Sequence, residues 1–166
     1  MADITLFGDP IQTWGELPAI GTKAPGFTLV NNNLEVVSLS DFKGIKLIIN
    51  IFPSVDTSTC ALSVRRFNEK GANLVNTRIL CVSRDLPFAQ DRFCAAEGLE
   101  NVLTLSDYRN DNFGENYGVM INGSKLSGLH SRAIVVIDEE GIVKYTEQVA
   151  ELKDEPDYDK ALAALN

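Results

Sequence analysis

The stretch that most constrains this chain is Leu47-Ile48-Ile49-Asn50-Ile51-Phe52, closed by Pro53. Five of these six residues are apolar, so a strand here needs cover on both of its faces. Helical spacing follows over residues 58–72, and a second doubly apolar strand over residues 78–83. A strand, a helix and a strand in that order form a crossover, which makes the two strands parallel. Asp85-Leu86-Pro87 then opens a helix that Gly98 closes, because proline suits the first helical turn and glycine suits the end.

The remaining elements are short. Residues 27–30 and 36–39 read as strands around Asn31-Asn32-Asn33, residues 102–105 as a third, and residues 111–117 as a helix. Residues 133–137 and 142–146 flank the turn Asp138-Glu139-Glu140-Gly141, and a last helix runs over residues 158–165. Residues 4–7 and 11–14 form a small hairpin around Gly8-Asp9-Pro10. Parallel crossovers feeding an antiparallel hairpin predict an α/β protein with a mixed central sheet flanked by helices, the element order of the thioredoxin-like fold. With no repeat or linker, residues 1–166 read as a single domain, of which residues 1–16 are an N-terminal hairpin extension.

Charge narrows the partners. Lys plus Arg number 15 against 23 Asp plus Glu, a net charge of −8, which disfavours nucleic acid and anionic membrane surfaces. No apolar run approaches the length of a membrane span, and the first residues carry no basic or apolar leader, so the expectation is a cytoplasmic protein. Thiols stay reduced there unless their oxidation is the function, which puts the weight on three cysteines and a single histidine.

The cysteines have three different settings. Cys60 lies on a helical stripe with Val64, Phe67, Gly71 and Leu74, and on that ground alone reads as a core residue. Its place in the first helical turn, after a strand end and the N-cap types Asp56, Thr57 and Ser58, argues for more. Unpaired amides and the positive helix end there favour a nucleophilic thiolate. Cys94 has Gln90, Asp91, Glu97 and Gly98 as its helical neighbours, whereas Phe88, Ala89, Phe93 and Ala96 mark the apolar side. This places Cys94 on an outward polar face, an unusual position for a free thiol, which reads as either a neutral surface residue or a resolving thiol. Cys81, inside the apolar strand at 79–82, reads as inert packing.

Other chemistries fit less well. Cys60 and Arg66 have the spacing of a cysteine phosphatase loop, but the intervening residues are plain helix without the glycine needed to wrap a phosphate. A cysteine–histidine hydrolase would have to use His130, which reads as a solvated loop residue. The cysteines are too far apart for zinc, and no glycine-rich nucleotide loop is present. A non-catalytic thiol sensor, oxidised once to change partner, stays open at this point.

The run Pro53-Ser54-Val55-Asp56-Thr57-Ser58-Thr59-Cys60 resembles the PxxxTxxC signature of the peroxiredoxins, with Phe52 before it and Arg132 opening the strand at 133–137. The resemblance extends over nearly the whole chain and narrows to the bacterial thiol peroxidases, which are atypical 2-Cys peroxiredoxins. Asn50 to Ser54, Asp85 to Gln90 with Arg92-Phe93-Cys94, and Glu155-Pro156-Asp157-Tyr158 are similar to blocks of that subfamily.

The resemblance implies an antioxidant enzyme reducing hydrogen peroxide and organic hydroperoxides. Cys60 would be the peroxidatic thiolate and become a sulfenic acid. Thr57 and Arg132 would hold it and polarise the O–O bond, and Pro53 would roof the pocket. Cys94 would resolve the sulfenic acid as an intrachain Cys60–Cys94 disulfide, which thioredoxin would reduce. The resemblance implies no metal or organic cofactor, and it implies a homodimer. It also leads to the expectation that the first turn at Cys60 and the helix carrying Cys94 unwind locally on oxidation.

Overall fold

The computed structural model describes residues 1–110 and 112–166. Its elements begin with β1 (Asp3–Leu6), β2 (Asp9–Thr13), β3 (Thr28–Val30) and β4 (Val36–Ser38). The crossover region follows as β5 (Lys46–Ile51), α1 (Ser58–Gly71), β6 (Thr77–Ser83), α2 (Pro87–Glu97) and β7 (Leu103–Ser106). After α3 (Asn112–Asn116) and β8 (Ile121–Asn122) come β9 (Ala133–Ile137), β10 (Val143–Gln148) and α4 (Tyr158–Ala163).

Among the described residues, seven strands form one mixed sheet in the order β10-β9-β5-β6-β7-β3-β4. The crossovers make β5, β6 and β7 parallel, while β9 returns antiparallel to β5. Side-chain alternation along β5 sorts the core into two layers. Leu47, Ile49 and Ile51 join Leu80, Val82 and Phe113 on one face. Ile48 joins Ile79, Cys81 and Ile134 on the other, where α1 contributes Val64 and Phe67 and α4 contributes Ala161. Burying Val64 and Phe67 completely contributes about 2 kcal/mol each, which pins α1 to the sheet. The expected α/β sheet, flanked by helices and preceded by an N-terminal strand pair, is present.

Some boundaries differ from expectation. The N-terminal turn is Phe7-Gly8, one step earlier than the expected Gly8-Asp9-Pro10, with Leu6 opposite Asp9. Both turn residues have positive φ, 53° and 83°, as a tight two-residue hairpin demands. For Phe7 this conformation costs about 1–2 kcal/mol. Pro10 can enter β2 because it is the second pair from the turn, where the amide points away from the partner strand. The helix expected over residues 111–117 is observed from Asn112, Asp111 lying outside the described residues. The short β8, which adds to β2 in a separate three-stranded sheet, was not foreseen, since two residues carry no periodicity.

Candidate active site

Strand pairing brings together residues that are far apart in sequence. Ile51, the last residue of β5, lies opposite Ala133, the first of β9, so Arg132 meets the segment that leaves β5. That segment passes through the buried Pro53 into α1, whose first turn holds Cys60. Cys60 is fully buried and Arg132 nearly so. The guanidinium Nη2 donates to Cys60 Sγ at 3.2 Å, and Nε donates to the Leu152 carbonyl at 3.0 Å. Among the described residues, Arg132 Nη1 is buried without a hydrogen-bond partner. A planar cation with one arm on the sulfur and another arm uncommitted can bind an oxygen that approaches that sulfur.

The start of α1 is built to leave donors free. Thr57 is the N-cap, in an extended conformation, yet its side chain makes no capping bond; the hydroxyl donates instead to the Ser54 carbonyl at 3.1 Å. Thr57 is exposed, and its hydroxyl is therefore placed at the helix mouth rather than on Cys60. The first-turn amides have no acceptor within the helix, so they contribute a positive potential there. Beneath the turn, Ser63 Oγ donates to the Cys60 carbonyl at 2.8 Å and accepts from Asn50 Nδ2 at 3.2 Å.

Several contributors were invisible in sequence. Asp85 accepts from Ser54 Oγ at 2.7 Å and from the Val55 amide at 2.9 Å, which fixes the loop between β5 and α1. Thr59 Oγ1 donates to the Lys153 carbonyl at 3.0 Å. An aspartate ahead of Leu86-Pro87 was legible as a helix opener, but its acceptors face a loop some 30 residues upstream. Carbonyls such as those of Leu152 and Lys153 leave no mark on composition at all.

Cys94 corrects an expectation. It is half-buried and faces inward, with Sγ 3.4 Å from Thr104 Oγ1 on β7. Phe88, expected on the inner side, is 67% exposed, and Ala96 is exposed too. Phe93 packs partly against the core as expected, but the rest of the inward face of α2 is polar because the strands below offer hydroxyls and a carbonyl. Gln90, fully buried, donates to Ser83 Oγ and to the Leu105 carbonyl at 3.1 and 3.0 Å. Thr104 Oγ1 donates to Asn32 Oδ1 at 3.0 Å, so the Cys94 thiol is the donor in its contact with Thr104. Burial pushes this thiol above its ordinary range. An Arg65–Glu97 pair, with contacts of 2.7 and 2.8 Å, ties the outer side of α1 to the last turn of α2. Cys60 and Cys94 are both free thiols here.

His130 is a second correction: it is fully buried, not solvated. A bridge with Met120 draws its loop inward, its Nε2 lies 3.0 Å from Asp107 Oδ2, and its ring packs on Phe113. Cys81 lies in the core as expected, and burial pushes its thiol up to about 12. The folded protein therefore keeps Cys81 protonated where an unfolded thiol would ionise. Iodoacetamide is expected to leave Cys81 unmodified in the native protein up to about pH 10 and to label it after denaturation. Peptide mass analysis checks this, and native labelling at neutral pH as fast as that of Cys94 would contradict it.

Comparison with known proteins bears on the family and the fold. The Redoxin family matches residues 19–162. A thiol peroxidase of Corynebacterium glutamicum is 54% identical over 166 residues, covering 100% of both chains. One from Mycobacterium tuberculosis is 56% identical over 165 residues, covering 99% of each. The crystal structure of a peroxiredoxin-like protein from Aquifex aeolicus superimposes with a TM-score of 0.93 at 35% identity, covering 98% of this chain and 95% of that one.

Proposed function

This chain belongs to the Redoxin family and is a thiol peroxidase, and on that premise we propose that Cys60 is its peroxidatic residue and Cys94 its resolving one. The observation that carries this reading is the 3.2 Å approach of the Arg132 guanidinium to Cys60 Sγ in a buried setting. The Cys60 thiolate attacks the terminal oxygen of a hydroperoxide in line with the O–O bond. That bond breaks, the sulfur gains the hydroxyl, and the departing alkoxide or hydroxide takes a proton to leave as alcohol or water. Arg132 and the free amides at the start of α1 stabilise the charge moving onto the departing oxygen, joined by the Thr57 hydroxyl once it rotates from the Ser54 carbonyl toward the substrate. Pro53 keeps water from the sulfenic acid.

Cys94 then attacks the Cys60 sulfur and displaces water, leaving an intrachain disulfide. Because each thiol is held separately, Cys60 by Arg132 and Cys94 by Thr104, the first turn of α1 and the last turns of α2 unwind for this step. Thioredoxin supplies the two electrons that restore both thiols. The substrates are hydrogen peroxide and organic hydroperoxides. The protein works in the cytoplasm as a homodimer of single domains, each with residues 1–16 as a hairpin extension. No helix among the described residues is long and apolar enough to cross a membrane.

The test is peroxide-dependent oxidation of reduced thioredoxin by the wild-type protein and by Cys94→Ser. Wild type is expected to sustain turnover until peroxide is exhausted, whereas Cys94→Ser consumes one peroxide per chain and then stops cycling. A wild type that also stops after one equivalent would make the chain a sensor. Sustained thioredoxin-linked turnover by Cys94→Ser would remove the resolving role.

A further inference from the structure

The segment that holds Arg132 is itself held by the N-terminal hairpin. Glu151 accepts four hydrogen bonds: from Thr5 Oγ1 at 2.8 Å, from the Phe7 and Gly8 amides at 3.1 Å each, and from the Lys153 amide at 3.2 Å. Two main-chain bonds reinforce the dock, Thr5 N to the Ala150 carbonyl at 2.7 Å and Leu152 N to the Thr5 carbonyl at 2.9 Å. The hydroxyl of Thr5, with the Gly8, Lys153 and Phe7 amides behind it, holds the Glu151 carboxyl at about 2, well below its usual range. The turn it grips includes Phe7, an aromatic residue in left-handed conformation, with Lys153 Nζ 4.3 Å above its ring. A strained turn of this kind persists only where its surroundings over-determine it.

The next two carbonyls in the chain serve the site. Leu152 accepts from Arg132 Nε and Lys153 accepts from Thr59 Oγ1 in the first turn of α1. β10 ends at Gln148, so residues 150–153 lie beyond the large sheet and take their main-chain partner from Thr5. We propose that Glu151 is a positioning residue for peroxide reduction: by docking the hairpin turn it fixes the Leu152 and Lys153 carbonyls, which set the guanidinium plane of Arg132 and the first turn of α1. The inference rests on the assignment of Cys60 and Arg132 made above.

The guanidinium is a rigid plane, so its Nε bond fixes where both Nη atoms point. A shift of the Leu152 carbonyl rotates that plane away from Cys60 Sγ. Glu151→Gln is the sharpest variant. It keeps the volume but turns one acceptor oxygen into a donor, and either orientation faces at least one N–H with another N–H.

The measurement is single-turnover consumption of hydrogen peroxide by the fully reduced protein, alongside re-reduction of the disulfide by thioredoxin. Glu151→Gln is expected to slow the peroxide step about ten- to a hundredfold, while re-reduction stays within twofold (about the scatter of such rates). In an Arg132→Lys background the same change is expected to have a clearly smaller effect, since the plane it orients is gone and only the Lys153 contact with the first turn of α1 remains. Gln12→Ala, which removes only the hairpin bond to Asp3, serves as a control with a wild-type rate. Should Glu151→Gln not fold, Thr5→Val removes one of the four bonds and is expected to slow the peroxide step about fivefold.

An unchanged peroxide step in these variants would overturn the proposal, and so would an equal loss in both Arg132 backgrounds, which would mean general loosening. Loss of activity in Cys60→Ser with an unaffected Glu151→Gln sinks this inference alone. Retained activity in Cys60→Ser sinks the site assignment and this inference with it.

Discussion

Cys60→Ser is expected to consume peroxide at the uncatalysed background, a loss of about ten-thousandfold or more, equivalent to about 5 kcal/mol of barrier. A serine hydroxyl stays protonated near neutral pH and needs a base to become a nucleophile. The only histidine of the chain is buried on Asp107 and supplies none. The fold has no reason to fail, because serine is smaller than cysteine and its oxygen can accept the Arg132 bond. Peroxide loss measured beside a circular dichroism melt separates the two effects. A folded Cys60→Ser protein that keeps more than about one hundredth of wild-type activity would show that another atom carries the chemistry.

Arg132→Lys is expected to cut the second-order rate with peroxide about a hundredfold while leaving re-reduction by thioredoxin intact. The charge survives, so the loss measures geometry. An ammonium cannot span the Leu152 carbonyl and Cys60 Sγ and still offer a third donor in the same plane, as the guanidinium does. Whichever bond the lysine drops leaves a buried polar group unpaired, which should also lower folding stability by about 1–3 kcal/mol. Stopped-flow oxidation and urea denaturation read the two quantities independently. A rate within about threefold of wild type would reduce Arg132 to a structural cation.

Local pattern carried the central fold. The apolar runs of β5 and β6, the stop at Pro53, and the Pro87 and Gly98 ends of α2 are all features of short windows, and each lies where its window places it within a residue or two. Cys60 was legible for the same reason, as a thiol in a first helical turn. Arg132 was legible only through resemblance, because its approach to Cys60 depends on the register of Ile51 with Ala133, a long-range pairing that no window contains. The inner face of α2 was misread in part: Phe93 does pack against the core, but the amphipathic rule also took Phe88 and Ala96 as inward. Here hydrogen bonds from Gln90 to Ser83 and Leu105 decide the docking instead. His130 was misread because its partner Asp107 lies 23 residues away. Glu151 gave no signal, since its role rests on hydrogen bonds to backbone amides.

The polar underside of α2 has a thermal consequence. Pro87 and Gln90 are the fully buried residues of this helix and Phe93 packs only partly against the core, so peeling it from β7 uncovers one ring and little other apolar surface. Heat capacity follows apolar hydration, and a step that wets few carbon atoms changes it little. The enthalpy of freeing Cys94 therefore stays nearly constant with temperature, and its equilibrium follows a straight van't Hoff line. Global unfolding, which opens both layers of the sheet, follows a strongly curved one.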